Sequence, residues 1–183
     1  MRLTYEITGE TRAVHGVILN RIRALPGNRF AAPGTLGGWV EREENLEDGA
    51  WIADEACVYG NAILQGNVVV RDSARVYGTA WLNGETCCPI IIGSDCVIHG
   101  GYWTEEPFFR RVTDVCSVNV SSNNSLRIGC KDYTFERWVR NLPAILRLYV
   151  KEDIFNEVNT ETVEKCVQCF NDACESCFIL ISN

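Results

Sequence analysis

The side chains best equipped for chemistry in this chain are its ten cysteines and two histidines, among 183 residues. Four of the cysteines, Cys166, Cys169, Cys174 and Cys177, form two CxxC pairs, and four thiolates suffice for a tetrahedral zinc site. The spacing weighs against that use. Only Phe170 to Ala173 separate the pairs. On one straight helix Cys166 and Cys177 would lie about 16 Å apart along the axis, too far to share a metal with Zn–S bonds of about 2.3 Å. Zinc there requires a break near Asn171 and Asp172, or ligands from elsewhere. The simpler role is four small apolar groups packed against a neighbouring element. Redox chemistry is disfavoured because no βαβ pattern accompanies the pairs. Of the histidines, His15 stands beside Gly16 in a turn-like segment, whereas His99 lies inside VIHGGYW, followed by Gly100, Gly101, Tyr102 and Trp103. An imidazole accepts and returns protons near neutral pH when its partner is within hydrogen-bond reach. Glycine pairs beside aromatics, as at Gly37-Gly38-Trp39 and again at Gly100 to Trp103, either plug the end of an element or stack on a planar ligand.

These groups must be held by something, and the composition bounds what. A chain of this length buries roughly 70% of its unfolded surface, so it needs no disulfide framework. No run of eighteen apolar residues occurs and MRLTYEITGE has no apolar core, so neither a membrane span nor a leader is expected. A cytoplasmic location follows as the expectation, with the cysteines as thiols. The net charge of −7, with no Lys/Arg cluster, disfavours nucleic acid as the main partner.

The organising element is a six-residue repeat. Residues 50 to 85 read AWIADE, ACVYGN, AILQGN, VVVRDS, ARVYGT, AWLNGE without a gap. The first place holds Ala50, Ala56, Ala62, Val68, Ala74 and Ala80, the third Ile52, Val58, Leu64, Val70, Val76 and Leu82, and the fifth Asp54, Gly60, Gly66, Asp72, Gly78 and Gly84. The phase extends back to Gly38 with Val40 and, across the insertion Thr86 to Pro89, forward to Ile90 with Ile92 and Cys96 with Ile98. In a strand, residues two apart share a face. A small residue and a branched aliphatic therefore point inward together, and Gly or Asp turns the corner. Three such sides close one triangular coil of about eighteen residues. The fold expected is mainly β: a short parallel β-helix of about three coils over 36–101, with an N-terminal β cap over 1–35 and a C-terminal α+β cap over 102–183.

Caps are needed because an open coil end exposes unpaired strand edges. LTYEI, TRAV and VILNRIRAL around His15-Gly16 read as the first cap. FRRVTDVCSVNV and SLRIGC read as two strands joined by SSNNS, after which Thr134 opens a helix carrying Trp138 and Leu142, and a last helix begins near Thr160. On the outer surface the repeat places Trp51, Tyr59, Tyr77 and Trp81. Tyr59 and Tyr77, one coil apart, are expected to stack. An outward aromatic patch suggests a partner surface, most simply another copy of the chain, so a homo-oligomer is expected.

The hexads resemble the hexapeptide-repeat, left-handed parallel β-helix family, best known from acyltransferases. More closely, LGGWVE (Leu36 to Glu41), the VYGNA-type hexads, VIHGGYW and RIGC (Arg127 to Cys130) are similar to a group of phage- and prophage-encoded hexapeptide-repeat proteins, many of them named as transferases. The likeness covers most of the chain but not its cysteine-rich last twenty residues. Two functions follow from it. One is an accessory binding protein that uses its solenoid faces, through Trp51, Tyr59, Tyr77, Trp81 and Gly100 to Trp103, to engage a host protein or small ligand in the host cytoplasm, in a counter-defence role. No cofactor is then needed. The alternative is an acyltransferase: the resemblance implies acyl-CoA lying in a groove between subunits, with His99 as the general base. Zinc at the four C-terminal cysteines is a third, weaker reading. Fold alone does not choose among them.

Overall fold

The computed structural model describes residues 4–47, 49–87, 89–113, 116–141, 165 and 167–173. The chain divides into two units, 1–106 and 107–183.

The first unit is a parallel β-helix with a hairpin against it. The hairpin pairs β1 (Tyr5–Val14) with β2 (Val17–Ala24). His15 and Gly16 turn it with φ of 50° and 84°, the geometry of a two-residue loop that follows the strand twist. From there the chain climbs in triangular coils. One face stacks β3 (Leu36–Val40), β5 (Cys57–Val58), β8 (Arg75–Val76) and β11 (Val97–Ile98) in parallel register, and β2 adds antiparallel to β3. A second face stacks β6 (Ile63–Gly66), β9 (Trp81–Gly84) and β12 (Tyr102–Trp103), with Leu46 bridging to Leu64. The third stacks β4 (Trp51–Ile52), β7 (Val68–Val70) and β10 (Ile90–Ile92). The helix is longer than the expected three coils. Leu36–Val40 is the first of four rungs on the first face, and Tyr102–Trp103 adds a last rung to the second.

The hexad columns have the orientation their pattern implied. Every first- and third-place residue from Ala50 to Leu82 is buried, as are Ile90, Ile92, Cys96 and Ile98. This core is a stack of aliphatic rungs, Ile52 on Val70 and Leu64 on Leu82, stabilised mainly by apolar burial. The register absorbs the insertion. Rungs lie eighteen residues apart from Trp51 to Val69, twenty-two from Val68 to Ile90, and twenty-one from Trp81 to Tyr102.

Each corner solves the turn differently. Asp54, Asp72 and Ser94 hold φ near +54° to +59° without being glycine. Two of them offset the strain with a side-chain ladder, in which the Asp54 carboxylate accepts the Asp72 N–H at 3.1 Å and the Asp72 carboxylate accepts the Ser94 N–H at 2.7 Å. Asp visits the left-handed region more readily than most residues, and here its carboxylates tie each corner to the corner of the next coil. At the next corner Gly60 and Gly78 take φ of 70° and 68°, and at Gly78 the backbone of the following coil comes too close for a side chain.

The second unit contains a four-stranded antiparallel meander, β13 (Phe109–Thr113), β14 (Cys116–Ser122), β15 (Ser125–Ile128) and β16 (Lys131–Thr134). The two strands expected here become four: the first run divides, and KDYT adds an edge. Helix α1 (135–141) follows, capped by Thr134 Oγ1, which accepts the Arg137 N–H. Trp138 is fully buried and its indole donates to the Leu126 carbonyl at 2.6 Å. Helix α2 (167–173) buries Cys169, Phe170 and Ala173. Leu142 and the helix start near Thr160 lie outside the described residues.

Candidate functional site

The first face carries two outward columns. One runs Trp39, Cys57, Arg75 and Val97. The other runs Glu41, Tyr59, Tyr77 and His99, the residues that follow Val40, Val58, Val76 and Ile98 in matched rungs. Tyr59 and Tyr77 stack with centroids 5.0 Å apart and planes 5° from parallel. The His99 ring follows at 5.9 Å from Tyr77, tilted by 38°. His99 is half-buried, directly follows β11 and ends a π-stack, so its ring orientation is constrained by a neighbouring aromatic.

The hairpin folds over much of this face. Leu19 packs with Trp39, Cys57 and Tyr59, and Val14, Val17 and Tyr77 close around them. Arg12 and Arg21 place their guanidinium groups 4.3 Å and 4.9 Å from the Trp39 ring centroid, a double cation–π clamp. Glu55 holds both, at 2.5 Å to Arg12 and 2.9 Å to Arg21, and accepts from the Trp39 indole at 3.2 Å. The Arg21 hydrogen bond is the main reason the Glu55 carboxyl lies below the ordinary range, with Trp39 and Arg12 adding to it against partial desolvation. Arg12 also donates to Cys57 Sγ at 2.8 Å. At the turn, Arg75 donates to His15 Nε2 at 2.8 Å; arginine only donates, so that nitrogen is the acceptor. His15 thus fastens the hairpin tip to the third rung, a structural role.

Two expected surface aromatics are not on the surface. Tyr59 is 7% exposed beneath the hairpin, and its burial pushes the phenol pKa up. Trp51 is 3% exposed, with its ring tip beside Gly37. Trp51 and Trp81 share a hexad place yet stand on different faces, because thirty residues is not a whole number of coils. Trp81 instead joins Tyr102 on the second face, edge-to-face at 5.2 Å, with exposures of 43% and 51%. Trp103 turns inward and its indole donates to the Gly100 carbonyl at 2.9 Å, while Gly101 makes the bend with φ of 93°. The Gly100 to Trp103 segment therefore splits into a buried plug and one exposed ring. A six-residue column reports inside against outside, but only the eighteen-residue coil reports which face.

Of the C-terminal cysteines only Cys169 is described, buried in α2; Cys166, Cys174 and Cys177 lie outside the described residues. Among the described residues no cluster of His, Cys, Asp or Glu could hold a metal ion. Nor is any helix among them long and apolar enough to cross a membrane. An open cleft of about 750 Å³ lies on the corner between the second and third faces, floored by Gly49, Gly66 and Gly84 and walled by Arg29, Asn67 and Glu85.

No family model matches the chain. Over 71 residues, 38% of its length, it is 38% identical to a protein of Escherichia coli strain K12 described as the uncharacterized acetyltransferase YdcK. The match spans 20% of that protein. The β-solenoid and this similarity together fit a hexapeptide-repeat transferase.

Proposed function

We propose that the chain is an acyltransferase of the hexapeptide-repeat type, with His99 as general base. The observation that carries the reading is the similarity to an acetyltransferase on a chain whose coil is a parallel β-helix. It favours catalysis over an accessory protein that only binds a host target. The position of His99 supports the assignment: it is half-buried, directly follows the β11 rung, and lies against the Tyr77 ring. His15 is committed to Arg75.

In the step envisaged, the neutral imidazole of His99 takes the proton from the hydroxyl or amine of the acceptor as that atom attacks the thioester carbon of acyl-CoA. The tetrahedral intermediate collapses with cleavage of the C–S bond. The imidazolium returns its proton to the departing thiolate, so proton and acyl group both balance. The acyl donor is envisaged in a groove between copies of the chain, which makes a homo-oligomer part of the proposal.

Acetyl-CoA at millimolar concentration is expected to raise the melting temperature, since a ligand that binds only the folded state stabilises it. Release of coenzyme A in the presence of a panel of amines and sugars is then expected from wild type. It should fall by about 10²-fold or more in His99→Ala. Absence of any thermal shift, or full activity in His99→Ala, would sink the assignment. Light scattering tests the oligomer, and a strict monomer would remove the groove between copies.

A further inference from the structure

On the second face the rungs from β6 to β12 carry Ile63 and Gln65, then Trp81 and Asn83, then Tyr102 in the outward places, with the exposed Thr104 just past the end of β12. None of these six is charged. Trp81 and Tyr102 are the most exposed aromatics of the coil, and they meet at 76°, forming two walls of a shallow corner. The neighbouring amides fix both rings. Trp81 Nε1 donates to Gln65 Oε1 at 3.3 Å, and Asn83 Nδ2 donates to the Tyr102 hydroxyl at 3.2 Å. Each amide uses one atom on its ring and keeps the other for solvent. Gln65 retains an NH₂ donor, Asn83 retains a carbonyl acceptor, and the Tyr102 hydroxyl retains its own proton.

We infer that this face is a binding platform for a neutral oligosaccharide. A sugar ring has apolar C–H faces and a rim of hydroxyls that both donate and accept. It matches a surface of exposed aromatic faces bordered by uncommitted amide donors and acceptors. Charge excludes the polyanionic alternatives: there is no cation among the six residues, the preceding rung adds the acid Glu47, and the chain carries −7 overall. Size disfavours a second copy. The exposed parts of the two rings amount to about 200 Å², against about 800 Å² per partner in a stable protein interface. Solenoid geometry suits a linear ligand, since successive rungs repeat the same pair of outward places about 4.8 Å apart. The platform stands apart from His99, which is on the first face, and does not depend on acyl transfer.

The test is calorimetric titration of the purified full chain with maltohexaose, cellohexaose, chitohexaose and xylohexaose, without acyl-CoA. At least one is expected to bind. Its affinity should fall about tenfold or more in Trp81→Ala and in Tyr102→Ala, less in Gln65→Ala, and not at all in His99→Ala, with melting temperatures retained throughout. No heat with any of the four overturns the inference, as does binding that Trp81→Ala leaves intact. A change of oligomeric state in Trp81→Ala without glycan binding by wild type would assign the face to contacts between copies instead. Coenzyme A release is read separately, so failure of the transferase reading leaves this result interpretable.

Discussion

Gly78→Ala tests the claim that backbone contact between coils, rather than turn geometry alone, dictates residue type at a corner. Gly78 sits at φ of 68°. A Cβ built there would lie closer than 3.0 Å to the carbonyl oxygen of His99 and 3.2 Å from its carbonyl carbon. Both are backbone atoms of the next rung, and that carbonyl already accepts the Thr79 N–H at 3.0 Å. No side-chain rotation can relieve the overlap, so the rung itself must move. The left-handed conformation costs a non-glycine residue about 1–2 kcal/mol, and forced overpacking about 1–3 kcal/mol more. The sum, about 2–5 kcal/mol, is a large part of the stability of an ordinary domain. Gly60 is the control at the same corner. Its φ is 70°, but the nearest atom to its Cβ, the Gly78 nitrogen, stands at 3.0 Å, so Gly60→Ala should show mainly the conformational cost. In urea, followed by far-UV circular dichroism, Gly78→Ala is expected to lower the midpoint by roughly 1–2 M for a slope of about 1–3 kcal/mol per molar. Gly60→Ala should lose about half as much. Because the displaced carbonyl belongs to His99, Gly78→Ala should also depress any coenzyme A release. Equal midpoints for the two variants would refute the contact argument.

Glu55 predicts an acid-sensitive hairpin. Its carboxyl is lowered chiefly by the Arg21 hydrogen bond, so the stability it contributes is present above the ordinary carboxylate range and is lost as pH falls through its lowered value. With the side chain 57% exposed, the amount is about 0.2–1 kcal/mol. Glu55→Gln should therefore weaken the fold by that amount at pH 7 and converge with wild type only as pH falls through the lowered carboxyl value, as read by urea midpoints across pH; a constant difference would contradict the linkage. In the second unit, Trp138→Phe keeps an aromatic ring but removes the buried indole donor to the Leu126 carbonyl and leaves a gap where the larger ring packed. It should cost about 1–3 kcal/mol by denaturant unfolding, and a neutral outcome would mean that water replaces the indole.

The inside of the coil was legible from one column of letters. Ala50, Ala56, Ala62 and their aliphatic partners two places on are buried because alternation along a strand and a regular corner leave no other arrangement. Asp or Gly in the fifth place marked the corners for the same reason. The outside was not legible at that period. Whether an outward residue meets solvent depends on what the rest of the chain lays over it, and Cys57, Tyr59 and Trp39 are covered by a hairpin from residues 5–24. The clamp itself comes from arginines on both strands of that hairpin, Arg12 and Arg21, and nothing local to either specified Trp39 as the partner.

Sequence by itself thus determined the β-helix, its core and its corners, because these depend on interactions repeated every six residues. Tertiary structure alone decided which aromatics are free. Trp81 and Tyr102 meet on an open face because the coil closes after eighteen or, with its insertion, twenty-one residues. Trp51 and Tyr59 are buried where another segment packs. It also decided that His99 continues a tyrosine stack. That column crosses the four-residue insertion, and only the hydrogen-bonded register between β8 and β11 brings its two halves into line.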